Sequence, residues 1–453
     1  MKERLSHKEK LYIGIMVFGL FFGAGNLIFP IQMGQEAGKN VLLANNGFLI
    51  SAIGIPFLAI ISFGATGTNK IFELASRVST SFAYFFTIVL YLIIGPIFAM
   101  PRLATTSYEM SIAPFIPDNK STLYLFIFSA VFFLLVLIFS FKPSNILDYI
   151  GKYLTPLFLV LLGSLVVISF IHPMGGIKEA PVQPIYESRP FVEGFLGGYN
   201  TLDALAGLAF GAIIIESVKS FGIDKKSRIA VETMKAGVFG IVLMGIIYTL
   251  LSLMGAMSLG TLSLNSNGGV TLSQLADYYL GVPGSVLLGL IVIIACLKTA
   301  IGLATSFGKA YSEIFSEKHY LSFVLGCLAV ALMISNIGLN AIIAASIPVL
   351  MFIYPLAMVL ILLSIFSNWT DKMPSCYKIT MGFTVIASIL DAVRVLPNGL
   401  KQNSFVSSVL STSEQYIPFF TSGLSWIIFA FIGIVVSLIV NIKRKRLTQK
   451  SLE

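Results

Sequence analysis

A membrane-spanning helix is costliest to interrupt at its middle, and this chain places an interruption there in its first apolar run. The stretch Gly19 to Pro30 reads Gly-Leu-Phe-Phe-Gly-Ala-Gly-Asn-Leu-Ile-Phe-Pro. Gly23 and Gly25 favour unwinding, Asn26 adds an amide, and Pro30 lacks an N–H donor. In hydrocarbon each unpaired backbone group costs several kcal/mol, so a broken helix persists only where it lines an enclosed cavity. Two readings compete for such a segment: a kink with close helix contacts through small residues, or a ligand seat. Composition decides that a membrane is involved. The 453 residues are 56% hydrophobic and 11% charged, against roughly 25% charged in soluble domains.

Each span needs about 20 apolar residues. The hydropathy pattern gives twelve, at 11–34, 44–66, 82–104, 122–142, 152–172, 191–219, 234–258, 284–310, 321–337, 341–366, 379–396 and 416–441. All are expected to be helices, since a barrel would alternate with period two over shorter segments. The first run exceeds a signal-peptide core and no small-x-small cleavage site follows, so it is expected to be retained. With the N-terminus inside, 22 of the Lys and Arg residues fall in cytoplasmic segments and 7 on the opposite side. That bias places both termini in the cytoplasm. The net charge of +9 is scattered over short loops without a basic-aromatic patch, which argues against a nucleic-acid partner. Cys296, Cys327 and Cys376 form no CxxC, and His7, His172 and His319 show no metal-ligand spacing.

Span six carries the second interruption. From Gly197 to Gly211 it reads Gly-Gly-Tyr-Asn-Thr-Leu-Asp-Ala-Leu-Ala-Gly-Leu-Ala-Phe-Gly. Asp203 lies about twelve residues in, ~18 Å along the axis, where a carboxylate is costly and usually functional. The two interruptions fall five spans apart, in the first and the sixth, and the two spans run in opposite directions. Inverted five-helix repeats of that kind hold substrate near the bilayer middle on discontinuous helices. The expected architecture is therefore all-α and integral to the membrane, in a single domain over 1–453. Repeat one covers 11–172, repeat two 191–366, and two extra helices occupy 379–441. Other charges call for structural explanations. Asp391 and Arg394 sit at i, i+3 and are expected to pair. Glu216 is an interfacial charge or a gate, and Arg102, Tyr108 and Glu109 form an external gate or an ordered loop. Gly175 to Pro190 and Ser263 to Thr271 read as outer loops.

Several longer motifs point to a family. Phe-Phe-Gly-Ala-Gly-Asn-Leu-Ile-Phe-Pro (21–30), Gly-Pro-Ile-Phe-Ala-Met-Pro-Arg (95–102), Thr-Ser-Tyr-Glu-Met (106–110), Gly-Tyr-Asn-Thr-Leu-Asp-Ala (198–204), Ser-Ile-Pro-Val-Leu (346–350) and Tyr-Pro (354–355) occur in order. Along nearly its whole length the chain resembles the branched-chain amino acid carriers of the LIV-II or BrnQ type. The resemblance implies the LeuT-type five-plus-five fold of the amino acid–polyamine–organocation superfamily. It also implies Na⁺-coupled import of leucine, isoleucine and valine across a bacterial cell membrane, by single protomers without an obligate protein partner.

An amino acid zwitterion needs N–H donors for its carboxylate and carbonyls for its ammonium, which half-helix N-termini and unwound C-terminal ends supply. The candidate substrate residues are Phe22, Gly23, Ala24, Gly25 and Asn26 in span one. In span six they are Asp203, Ala204, Ala206, Gly207 and Phe210. Phe22, Phe210, Ile94 and Leu297 are candidates for a dry wall, or for ordinary core packing. By resemblance, a sodium-site-like position involves the carbonyls of Gly19, Phe22 and Ala295 with hydroxyls at 298 and 299. The chain departs from the family there: it reads Ala295-Cys296-Leu297-Lys298-Thr299, where family members generally have Thr at 298. Lys298 lies too deep to snorkel easily. Its ammonium then fills the space of a sodium ion, leaving coupling to protons, or uniport or exchange; alternatively it pairs with a carboxylate such as Asp203. No cofactor is expected beyond Na⁺ or H⁺ as coupling ion. No GxSxG, HExxH or GxxxxGK[ST] motif supports an enzyme. Two unlike interruptions argue against a channel filter, and a receptor needs no midplane Asp and Lys.

Overall fold

A computed structural model of the chain describes residues 4–23, 25–68, 70–141, 155–223, 226–373, 375–401 and 403–450. Ala24, and residues 142 and 152–154 of the spans expected at 122–142 and 152–172, lie outside the described residues. Among the described residues the structure contains helices and no strands. Bilayer chemistry requires this of any chain that does not close a barrel.

The first span is two helices, α1 (His7–Phe21) and α2 (Gly25–Ala37). Ser6 starts α1 with a capping box, its hydroxyl accepting the Glu9 N–H while the Glu9 carboxylate accepts the Ser6 N–H. The second span ends in α3 (Ile55–Thr66), closed by Gly67 at φ +69°. Span three bends through a wide turn at Ile93–Ile97, where Gly95 and Pro96 break the ladder, and resumes as α4 (Ala99–Ser111). Span six is again divided, into α5 (Pro190–Gly197) and α6 (Asp203–Ser220).

Behind both halves of span one runs an uninterrupted helix, α7 (Lys226–Ser258). Close approach of small residues fixes the contact. A methyl group added to Gly14 would come within 2.8 Å of the Ala236 carbonyl, and one on Gly34 within 2.0 Å of the Ser252 carbonyl. The reciprocal glycines, Gly240 and Gly255, lie as tightly against Gly14 and Ile31. The unbroken helix therefore holds the two pieces of the broken one in line and carries Tyr248 to the gap between them.

Next, α8 (Gly268–Phe315) runs 48 residues with a kink at Gly281, φ +63°. Asn267 caps it by accepting the N–H groups of Gly269 and Val270. The stretch read as a loop to Thr271 is thus helical from Gly268, because the Asn267 cap and Gly268-Gly269 start the helix early. Span ten is α9 (Leu339–Ile365) with Pro348 and Pro355 inside it, followed by α10 (Cys376–Arg394) and α11 (Ser425–Lys450).

By length and hydropathy, eight helices among the described residues are able to cross a membrane. The sequence reading gave twelve. The difference arises where helices are short or merge: α1 and α6 are halves or near-halves of interrupted spans, Leu159–Ile171 and Tyr320–Ser335 are shorter apolar helices, and Gly25–Thr66 runs on as one segment.

Candidate functional site

The helix α1 stops because Phe22 turns extended (φ −75°, ψ 97°), its own N–H still bonded to the Phe18 carbonyl. Gly23 is left outside any helix, and its N–H is donated to Asn26 Oδ1 at 2.7 Å. The Asn26 amide nitrogen donates to Asp203 Oδ2 at 2.7 Å and to the Tyr248 hydroxyl. Tyr248 in turn donates its O–H to the same Asp203 oxygen at 2.9 Å. Asn26 and Asp203 are each 2% exposed and Tyr248 is fully buried. One closed cluster therefore joins the gap of span one, the gap of span six and the helix behind them.

The gap of span six has a different construction. After α5 the chain makes one 3-10 turn over Gly198–Thr201, and Leu202 adopts the left-handed region at φ 63°, ψ 8°. Thr201 spans the kink, its hydroxyl donating to the Gly198 carbonyl at 2.9 Å and accepting the Asp203 N–H at 3.3 Å. Arg102 of α4 reaches this turn. Nη1 donates to the Asn200 carbonyl at 2.9 Å, Nη2 donates to Ser346 Oγ of α9, and the guanidinium lies 5.5 Å from the Phe29 ring centroid. This corrects the sequence reading, which ended span three at 104 and grouped Arg102 with Tyr108 and Glu109 in an external gate or loop. The wide turn at Ile93–Ile97 prolongs that span to Ser111, and Arg102 is 4% exposed inside it. Tyr108 and Glu109 sit further out, bonded to the Ser121 carbonyl and to Asn267 respectively.

Lys298 projects from α8 onto the end of α1: a methyl group on Gly19 would lie 2.7 Å from its Nζ. The last turn of α1 holds no basic residue of its own, so Lys298 brings a cation to its carbonyl-bearing end. The pairing of Lys298 with Asp203 does not occur. Among the described residues Lys298 has no ion pair, because Asp203 is engaged by Asn26 and Tyr248. Thr299 packs beside Gly23, with its methyl and hydroxyl 3.5 and 3.6 Å from where a Cβ would stand. Its hydroxyl donates to the Ala295 carbonyl at 3.1 Å, within its own helix. A cation site built on Gly19, Ala295 and Thr299 is thus confronted by an ammonium already at hand.

The other candidates pack around this centre. Phe22 stacks on Phe18 at 4.8 Å and tilts toward Tyr248, while Phe210 meets Phe21 edge-on at 6.5 Å. Gly25 sits beside the span-six turn, where an added methyl would be in ordinary contact with Thr201 Cα at 3.6 Å and closer, 3.2 Å, to the Phe29 ring. Gly207 lies against the Pro56 carbonyl of α3, at 2.9 Å for an added Cβ. Ala204 and Ile94 are buried, whereas Ala206 and Leu297 retain some exposure. Tyr248 was not singled out from the sequence. One Tyr among 17 carries no signal in an otherwise apolar helix. The expected Asp391–Arg394 pair does not form either. Asp391 accepts the Ser425 hydroxyl at 2.8 Å and Arg394 donates to the Thr421 carbonyl at 3.2 Å, both drawn toward the segment that enters α11. Glu216 is exposed and forms no gate contact among the described residues.

A family model described as "Branched-chain amino acid transport protein" matches residues 6–444. Among curated proteins, the branched-chain amino acid permease BrnQ of Lactobacillus delbrueckii subsp. lactis is 43% identical over 433 residues, covering 94% of this chain and 96% of the relative. BrnQ of Bacillus subtilis (strain 168) is 39% identical over 446 residues, covering 98% and 100%. Among solved structures, the inward-facing conformation of Mhp1 superposes with a TM-score of 0.58 at 13% identity, over 95% of this chain and 90% of the other. A closed conformation of Mhp1, described as a nucleobase-cation-symport-1 family transporter, gives 0.56 at 12% identity over 98% and 93%. At such identity the likeness is one of fold, that of LeuT-type transporters.

Proposed function

This chain belongs to the branched-chain amino acid transport protein family, and we propose that it imports leucine, isoleucine and valine by alternating access around its two interrupted helices. It is a multi-pass membrane protein and not an enzyme. The plasma membrane of a bacterium, with both termini in the cytoplasm, is the setting that fits its loop charges.

The observation that carries the reading is the junction of the gaps at Asn26, Asp203 and Tyr248. Side chains from both gaps, with the Gly23 N–H, meet at one buried point. The first turn of α2 has no acidic residue, so the positive end of its helix dipole suits a carboxylate. Carbonyls of the Gly198–Thr201 turn are the natural acceptors for an ammonium. Asp203 contributes mainly by holding Asn26 and Tyr248, with its charge at the start of α6 matched to the helix dipole. Apolar walls from Phe22, Phe210, Ile94 and Leu297 suit a branched side chain and no hydrogen-bonding one.

For coupling, the proximity of Lys298 to Gly19 supports a built-in ammonium standing where relatives of the fold would bind sodium. The positive charge that a Na⁺ ion would lend to the end of α1 is then supplied by the protein. Import runs on protons or as uniport or exchange. The test is uptake of radiolabelled leucine into proteoliposomes under separate Na⁺ and H⁺ gradients, for the wild type and Lys298→Thr. Wild-type uptake is expected to ignore Na⁺, and the variant to acquire a Na⁺ response. Strict Na⁺-dependence of the wild type would end the ammonium reading. Absence of leucine uptake under every gradient, counterflow included, would end the transport reading.

A further inference from the structure

Arg102 is a cation with more hydrogen-bonding capacity than the protein uses. Arginine is always protonated and presents five N–H donors in a planar fork. Its two Nη groups are engaged by the Asn200 carbonyl and Ser346, yet Nε has no partner while the side chain is buried. No carboxylate pairs with it among the described residues. The span-six turn accounts for part of this: α5 and the Gly198–Thr201 turn hold no basic residue, and Nη1 serves their carbonyl end as Lys298 serves α1. That role leaves the Nε edge unexplained. In a guanidinium Nε–H and one Nη2–H point the same way, and that edge matches the two oxygens of a carboxylate. Here Nη2 rests on a neutral hydroxyl, Ser346 Oγ, which already donates its own proton to the Ile343 carbonyl at 2.7 Å. Buried charge without a counter-ion is strongly unfavourable.

We propose that Arg102 is a substrate-binding residue, which takes the α-carboxylate of the amino acid on its Nε–Nη2 edge together with the amides at the start of α2. The placement supports a shared seat. Phe29, one turn into α2, packs under the guanidinium; Gly25, the first residue of α2, abuts Thr201; and Arg102 itself bonds the adjoining residue Asn200. Asn200 Oδ1 is a second buried atom without a partner at this point, an acceptor suited to the substrate ammonium. Arg102 thus selects for a free carboxylate, and Ser346 holds the edge when substrate is away.

The inference rests on the amino acid transport reading, so the test separates the two. Binding of leucine and of leucinamide, which keeps the ammonium and lacks the carboxylate, is measured by thermal stabilisation and direct radioligand binding on full-length protein. Wild type, Arg102→Gln and Arg102→Lys are compared. Wild type is expected to prefer leucine strongly. Arg102→Gln should lose about 10- to 100-fold in leucine affinity, the range for one charged hydrogen-bonding group, with leucinamide unaffected, so that the preference collapses toward one. Arg102→Lys keeps the charge without the fork and should show an intermediate preference, which serves if the Gln variant does not fold. A preference for leucine preserved in Arg102→Gln, or in Arg102→Lys where Gln fails to fold, overturns the proposal. Wild type that binds neither compound would instead count against the transport reading.

Discussion

The two interruptions look alike on paper and are built by opposite means. In span one the sequence offers Gly23 and Gly25, yet neither uses a positive φ, and the helix ends because Phe22 turns extended. In span six the residue that does enter the left-handed region is Leu202, at φ 63°, although glycines lie nearby. A side chain there costs roughly 1–2 kcal/mol, so the surroundings must impose it. Thr201, Arg102 and the Asn26–Asp203–Tyr248 cluster all bear on that turn. The first gap is permitted by small residues, whereas the second is enforced by contacts from other helices.

That contrast orders the expected effects of mutation. The largest belongs to Asn26→Ala, which removes a side chain bonded to Gly23 in one gap and to Asp203 in the other. The Gly23 N–H, the Asp203 carboxylate and the Tyr248 hydroxyl would each lose a partner. Leaving a buried carboxylate short of partners costs about 3–5 kcal/mol. Leucine uptake in proteoliposomes should fall at least about 100-fold, and retention of more than a tenth of it would show that the gaps are not joined through Asn26.

Thr201→Val tests the enforced gap alone. It deletes the hydroxyl that closes the turn around Leu202, at about 1 kcal/mol for a lost cap. Thermal stability should drop by a few degrees and uptake by about fivefold, with any Na⁺ response unchanged. An effect as large as that of Asn26→Ala would mean that the turn, rather than the cluster, sets the gap.

The smallest effect is expected of Gly23→Ala. An added methyl meets the Thr299 side chain at 3.5 Å and Asn26 Oδ1 at 3.7 Å, both ordinary contact distances, and no positive φ has to be maintained. Melting temperature should stay within a few degrees of wild type, and uptake within about threefold. A collapse of stability would restore glycine to the structural role that the sequence pattern suggests.

Much of the site was legible because hydrocarbon punishes anomalies. A glycine pair, an amide and a proline in one apolar run, and a carboxylate in another, stand out wherever they fall, and Asn26 and Asp203 proved to be hydrogen-bonded partners 177 residues apart. Lys298 stood out for the same reason, and its neighbour Gly19 was named with it. Arg102 was visible but assigned to an external gate or loop, since a hydropathy window ends the span at 104 and cannot see a helix that runs on to Ser111. Tyr248 was not visible at all. The Asp391–Arg394 pairing failed because helix-face spacing ignores competitors from the next helix, here Ser425 and the Thr421 carbonyl.

Taken by itself, the order of residues determined that the chain is helical and membrane-embedded, which runs contain the costly polar groups, and which family it belongs to. These follow from transfer energies and local backbone preferences, properties that each segment carries with it. The tertiary structure alone decided which polar groups meet: that Asp203 bonds Asn26 and Tyr248 instead of Lys298, that Arg102 caps the span-six turn, and that a leucine takes a glycine's conformation. Such choices depend on distances between helices, and a buried polar group settles on whichever partner the packing brings within about 3 Å.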